Sequence, residues 1–106
     1  MTEVSTVAVI IAKPGSSAEV ERALRDLVEA SHAEPGCLHY SLHRGLPDPN
    51  LFFTVEKWGS QGDLDAHLGS SHVAAALTAA GTLLAAPPNI MPAEPLTVGD
   101  PDKGVF

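Results

Sequence analysis

Residues 4 to 12, VSTVAVIIA, are apolar on both alternating faces of a β-strand: Val4, Ala8, Ile10 and Ala12 lie on one, and Val7, Val9 and Ile11 on the other. Such a strand needs cover on two sides, because either face left bare would hold apolar surface in water. A chain of 106 residues has room for a single core, so it cannot supply both covering layers from separate internal domains. This strand therefore constrains the fold more than any other segment does.

The remaining segments supply one of the two layers. Lys13-Pro14-Gly15 ends the strand, and Ser16 followed by Glu19 has the spacing of a capping box that opens a helix. Val20, Ala23, Leu24, Leu27, Val28 and Ser31 then recur at helical spacing, with Glu21/Arg25 and Arg22/Asp26 as i,i+4 pairs on the wet side. His32 falls in the last turn, where an imidazolium suits the helix dipole, and Pro35-Gly36 stops the helix. A second strand over 37–44 places Leu38, Tyr40 and Leu42 on one face and Cys37, His39, Ser41 and His43 on the other. The stretch from Gly45 to Asn50 is turn chemistry, and Leu51 to Trp58 returns as a third strand. Ser60 and Asp63 open a short helix carrying Leu64, His67 and Leu68, which Gly69 ends; Ser70 or Ser71 caps a further helix with Val73, Ala76, Leu77, Ala80 and Leu84 as its stripe. Pro87-Pro88 closes it. Ile90 to Val98 contains Pro92 and Pro95, so it is confined to an edge strand or an extended arm.

This order, β-α-β-β-α-β with the second helix broken, predicts an α+β, ferredoxin-like fold: one antiparallel sheet with its helices on one face. The domain spans residues 1–98, and 99–106 form a tail that is mobile or contacts a partner. The helix-free face must then be covered by a second copy of the chain, which predicts a homodimer.

Thirteen acidic against six basic side chains give a net charge of −7, which excludes the concentrated positive surface that nucleic acid or an anionic membrane requires. Cys37 is the single cysteine, and the amino terminus has no signal-peptide pattern, so the expected location is the cytoplasm. The longest apolar run, Val7 to Ala12, falls far short of the roughly 20 residues a spanning helix needs.

Three segments carry a resemblance: EPGCLHYSLHR at 34–44, the spacing of Pro49, Phe53, Glu56, Trp58 and Ser60, and HLGSSH at 67–72. In order and spacing, the chain from about residue 4 to 98 resembles the antibiotic biosynthesis monooxygenase family, whose fold is the dimeric α+β barrel. The resemblance implies a small aromatic or hydrophobic metabolite as ligand and includes cofactor-independent oxygenases acting on quinols or phenols, haem-degrading relatives and isomerases. The haem-degrading branch typically has a tryptophan at the position of His67, a histidine at that of Ala76 and an asparagine in the first strand. This chain has none of the three, so the resemblance does not extend to haem.

His72 begins a helix after a serine cap, and a helix amino terminus favours a neutral imidazole able to accept a proton; it is the expected general base. His67 stands five residues earlier across the Gly69 break, which lets the two rings converge as base and second polar contact. Tyr40 and Trp58, the only residues of their kinds, lie on neighbouring strands and are expected to wall a flat ligand; Glu56 shares a face with Trp58 and either orients an imidazole or stays solvated. Cys37, His39 and His43 alternate along one strand, but same-face strand positions are about 7 Å apart, too far for all three to hold one metal ion. With no glycine-rich phosphate loop after a strand and no nucleophile elbow, no metal or cofactor is expected. The function expected is cofactor-independent oxidation of a phenolic or quinol-type aromatic by O2. A non-catalytic binding domain and an isomerase are the alternatives.

Overall fold

The computed structural model describes residues 2–106. The elements run β1 (Val4–Ile11), α1 (Ser17–His32), β2 (Cys37–Arg44), β3 (Leu51–Trp58), α2 (Gln61–Leu68), α3 (Ser71–Ala80), a 3-10 turn at Gly81–Leu83, and β4 (Asn89–Ala93). They make one open antiparallel sheet in the order β2-β3-β1-β4, the ferredoxin-like arrangement expected. β4 takes an edge, where Pro92 costs the sheet no interior hydrogen bond. No helix among the described residues is long and apolar enough to cross a membrane.

Register decides what faces the helices. Val4, Thr6, Ala8 and Ile10 of β1 pair with Trp58, Glu56, Thr54 and Phe52 of β3, and this face is buried beneath α1, α2 and α3. The larger core cluster joins Ile10, Val20, Leu24, Phe52 and Leu84; the smaller joins Tyr40, Trp58 and Leu64, with Val4, Val28 and Cys37 against it. On the opposite face the cross-strand rows are Val55–Val7–Met91 and Phe53–Val9. Ile11 and Met91 on that face are exposed to solvent within this single chain.

Three details of strand and helix depart from the sequence expectations. A β-bulge between Cys37 and His39 inserts one residue into β2: Cys37 pairs with Trp58, and His39 with Lys57. The extra residue shifts the alternation, so Cys37 joins Tyr40 on the helix side while Leu38, expected there, is 53% exposed. Ser16 precedes α1 as expected, yet its hydroxyl makes no capping bond; α2 and α3 are capped by Ser60 and Ser70, whose hydroxyls accept from Asp63 and Val73 N–H. Glu21 takes Arg25 at 2.7 Å and also Arg44, whereas Arg22 and Asp26 form no ion pair among the described residues. His32 donates from Nε2 to the Tyr40 carbonyl at 2.8 Å, which ties the end of α1 to β2.

The C-terminal segment lies against the helix-free face. A turn at Asp100 to Gly104 brings Phe106 to 5.3 Å from the His39 ring, and the segment lines a surface hollow with Glu3, Ser5 and Lys57.

The chain before β2 and the chain after β3 approach closely at Gly36 and Gly59, where Gly59 N–H donates to Gly36 carbonyl at 3.0 Å. The Asp63 side chain lies over both: a Cβ on Gly36 would come within 2.3 Å of its Cγ, and one on Gly59 within 2.7 Å of its Oδ2. The substitution Gly36→Ala is expected to destabilise the fold by about 1–3 kcal/mol, as overpacking does. Because Asp63 Cβ itself would lie 2.4 Å from the added atom, adding Asp63→Gly is expected to recover much of that loss as coupling energy in a denaturant double-mutant cycle; additive losses would show that the strain lies elsewhere.

Candidate functional site

The broken helix and the turn before β2 converge on one oxygen atom. Glu34, two residues past the end of α1, directs Oε2 between two imidazoles: His67 donates from Nδ1 at 2.7 Å and His72 from Nε2 at 2.8 Å. A carboxylate only accepts, so both nitrogens carry hydrogen in this arrangement. The ring centroids of His67 and His72 are 5.8 Å apart, a convergence that Gly69 permits by separating α2 from α3. The side chains of Glu34, His67 and His72 are 16%, 4% and 24% exposed, so His72 is the one nearest to water.

His67 also packs on two aromatic rings. Trp58 lies 4.4 Å away, tilted by 32°, and Tyr40 lies 5.5 Å away; Tyr40 meets Trp58 edge-on at 6.1 Å. Beneath them Glu56 is buried rather than solvated, and it bonds no imidazole. Its two oxygens are taken within its own strand, Oε2 by the Thr54 hydroxyl at 2.7 Å and Oε1 by Trp58 Nε1–H at 2.9 Å. Residues two apart on a strand share a face, so a single β3 segment builds this network without help from other elements.

Between the sheet and the α2–α3 pair lies a cavity of about 90 Å³. Its walls are mainly aliphatic, and its polar contributors are Tyr40, Thr54, Glu56 and His67. Leu68, Leu77 and Ile90 line it while remaining 41%, 52% and 43% exposed, which marks the side facing solvent. Of the five residues singled out from sequence, Tyr40, Glu56 and His67 border this cavity. Trp58 is fully buried behind His67, and His72 sits outside, in a hollow between α1 and α3 with Asp26 and Ala75. Sequence reasoning missed Glu34 and Thr54 as members of the network. An acidic residue opening the EPG turn was the available signal for Glu34.

With Nδ1 held by Glu34, Nε2 of His67 is the ring nitrogen with no hydrogen-bond partner among the described residues, and the residue borders the cavity. A carboxylate that fixes an imidazole by one nitrogen and leaves the other free is the arrangement that suits proton abstraction. Cys37 and Tyr40 are held in their neutral forms. Burial is the main cause for each; the carboxylates of Glu34 and Glu56 push the Cys37 thiol further up, and Glu56 does the same to the Tyr40 phenol.

A family model for antibiotic biosynthesis monooxygenases matches residues 4–79. The chain belongs to this family. Among solved structures, protein PA3566 of Pseudomonas aeruginosa is 34% identical, with a TM-score of 0.84 over 91% of this chain and 96% of that one. A crystal structure named antibiotic biosynthesis monooxygenase is 25% identical, with a TM-score of 0.83 over 88% of this chain and 98% of the other. Rv0793 of Mycobacterium tuberculosis, 24% identical with a TM-score of 0.85 over 93% of this chain and all of that one, shares the fold. An uncharacterized Synechocystis protein, sll1783, is 30% identical over 78 residues, which are 74% of this chain and 53% of that protein. The chain thus spans about half the length of that curated relative.

Tyr40 is this family member's only tyrosine, so its ionisation is read without interference from other phenols. An unfolded tyrosine ionises near pH 10, and in the fold burial raises that value. The fully neutral phenol is therefore stabilising below about pH 10, and that contribution is lost as pH rises above it. Spectrophotometric titration is expected to show no phenolate near pH 10 in the folded protein, with ionisation accompanying unfolding. A reversible titration near pH 10 with the fold intact would refute this environment for Tyr40.

Proposed function

We propose that this protein is a monooxygenase that oxidises a small phenolic or quinol-type aromatic with O2, without a bound cofactor, and that His67 is the base. The observation that carries this reading is the Glu34–His67 pair beside a mainly aliphatic cavity, with Nδ1 occupied and Nε2 available. Direct reaction of O2 with a closed-shell molecule is spin-restricted, so the protein's task is to form an electron-rich anion. His67 Nε2 takes the phenolic proton, and the phenolate passes one electron to O2. The resulting aryloxyl radical and superoxide join through a C–O bond, and the peroxide accepts the proton back from His67. Loss of water then leaves a quinone, so that phenol and O2 become quinone and water with no external reductant. Tyr40 borders the ligand space, Glu56 holds Thr54 and Trp58 in place, and Trp58 backs the His67 ring. His72 acts on the base through the shared Glu34 oxygen.

Cavity size limits the substrate. Drug-sized ligands occupy about 300–1,000 Å³, and an engineered cavity of about 150 Å³ holds benzene. A volume of about 90 Å³ is below both, so a polycyclic phenol is disfavoured and a single ring is admitted only as the solvent-side lining of Leu68, Leu77 and Ile90 gives way.

For a single-ring dihydroxyaromatic, O2 uptake is expected to equal substrate consumed, with one atom of ¹⁸O2 in the quinone. His67→Ala is expected to lower turnover by about 10²–10⁴, the usual scale of general base loss. Glu34→Gln acts in the same direction, because it removes the carboxylate that fixes the ring, and His72→Ala costs less than His67→Ala. Full turnover in His67→Ala would remove the base assignment. Conversion without O2 would indicate an isomerase, and saturable binding without conversion a binding module.

We further propose that a second copy of the chain covers the helix-free sheet face, supported by its apolar rows Val55–Val7–Met91 and Phe53–Val9. Light scattering is expected to give twice the chain mass for the wild type and a folded single chain for Phe53→Glu. A monomeric wild type would exclude this partner.

A further inference from the structure

We propose that Glu34, His67 and His72 form a binding site for one divalent transition-metal ion of the zinc class, and that an ion there blocks proton abstraction by His67. Glu34 Oε2, His67 Nδ1 and His72 Nε2 all lie within 4.8 Å of one another. They come from the turn before β2, from α2 and from α3, so the site exists only in the folded chain. Both nitrogens already aim at one oxygen, at 2.7 and 2.8 Å. Tetrahedral zinc with bonds of about 2.0–2.1 Å needs its donors about 3.3 Å apart. Admitting the ion therefore asks the Glu34 oxygen to withdraw by about half an ångström and the two ring nitrogens, up to 4.8 Å apart, to close by as much as about 1.5 Å through rotation of the rings. Two imidazoles and one carboxylate are the donor types zinc accepts, and three protein ligands leave a fourth position for water. His72, 24% exposed, lies on the solvent side and gives the ion a route in. The strand trio Cys37, His39 and His43 offers no such convergence, since the bulge sends Cys37 to the helix face.

The consequence for chemistry follows from the two ring nitrogens. Coordination at His67 Nδ1 displaces its hydrogen, and a neutral ring then carries that hydrogen on Nε2. The cavity-side nitrogen changes from acceptor to donor, and a base is lost without any change in the cavity walls. This inhibitory effect rests on the base role proposed for His67; metal binding itself does not.

Isothermal titration of the wild-type protein with zinc sulfate, and the visible d–d absorption of added cobalt(II) chloride, are expected to show one ion per chain in a low-symmetry, near-tetrahedral site. His72→Ala and Glu34→Gln are expected to weaken binding by at least about tenfold. His72 is only part-buried, so its variant decides the matter even where Glu34→Gln fails to fold. Absence of binding, or binding that persists in His72→Ala and disappears in a His39→Ala/His43→Ala double variant, would overturn the site. In turnover assays zinc is expected to inhibit along its binding isotherm, and a chelator to restore the rate. Zinc that binds at this site while oxidation continues unchanged would overturn the block. Zinc binding in a protein that oxidises no phenol with or without metal would leave the site standing and remove the monooxygenase reading.

Discussion

The arrangement of the site depends on a carboxylate oxygen shared by two imidazoles. Glu34 sits in the short turn that reverses the chain from α1 into β2, and through Oε2 it holds His67 on α2 and His72 on α3. Three segments that are distant in sequence are thereby tied at one atom. Hydrogen bonds to charged groups are stronger than neutral ones, and this pair is sheltered from water by the protein around it. The same tie sets which nitrogen of His67 remains free, so positioning and chemistry have one origin.

A second carboxylate is handled differently. Glu56 lies beneath the aromatic cluster, and each of its oxygens accepts a bond from a neighbour on its own strand face. An unpaired charge buried there would be costly, and the pairing with Thr54 and Trp58 offsets that cost. Glu34 instead keeps Oε2 for histidines and stands closer to solvent. The two acids divide their tasks: Glu56 stiffens the floor of the cavity, and Glu34 orients the group that faces a ligand.

Much of this was legible in the sequence. The two-sided apolar pattern of β1, the hairpin from Cys37 to Trp58, and the serine caps at Ser60 and Ser70 each follow from local rules, and the structure carries them out. The alternation rule failed at Leu38 because a bulge adds a residue that no local spacing announces. Glu34 escaped notice because its partners lie 33 and 38 positions away, and a turn glutamate ordinarily reads as solvated. The convergence of His67 and His72 was readable from the Gly69 break; that His72 faces α1 instead of the cavity depends on how α3 packs, which spacing alone does not fix.

Gly69 divides what would be one helix into two bodies of unequal anchorage. α2 is fixed by Leu64 and His67, both buried, whereas α3 buries only Ala80 and presents a row of alanines to its surroundings. A guest larger than the present cavity meets its least resistance from α3. Yielding at its Leu77 end enlarges the chamber, while Glu34 holds His72 at the other end of α3 and His67 on α2. Capacity and chemical alignment thus draw on opposite ends of α3, so the range of shapes admitted can vary through Ala76 and Ala80 without retuning the reacting group.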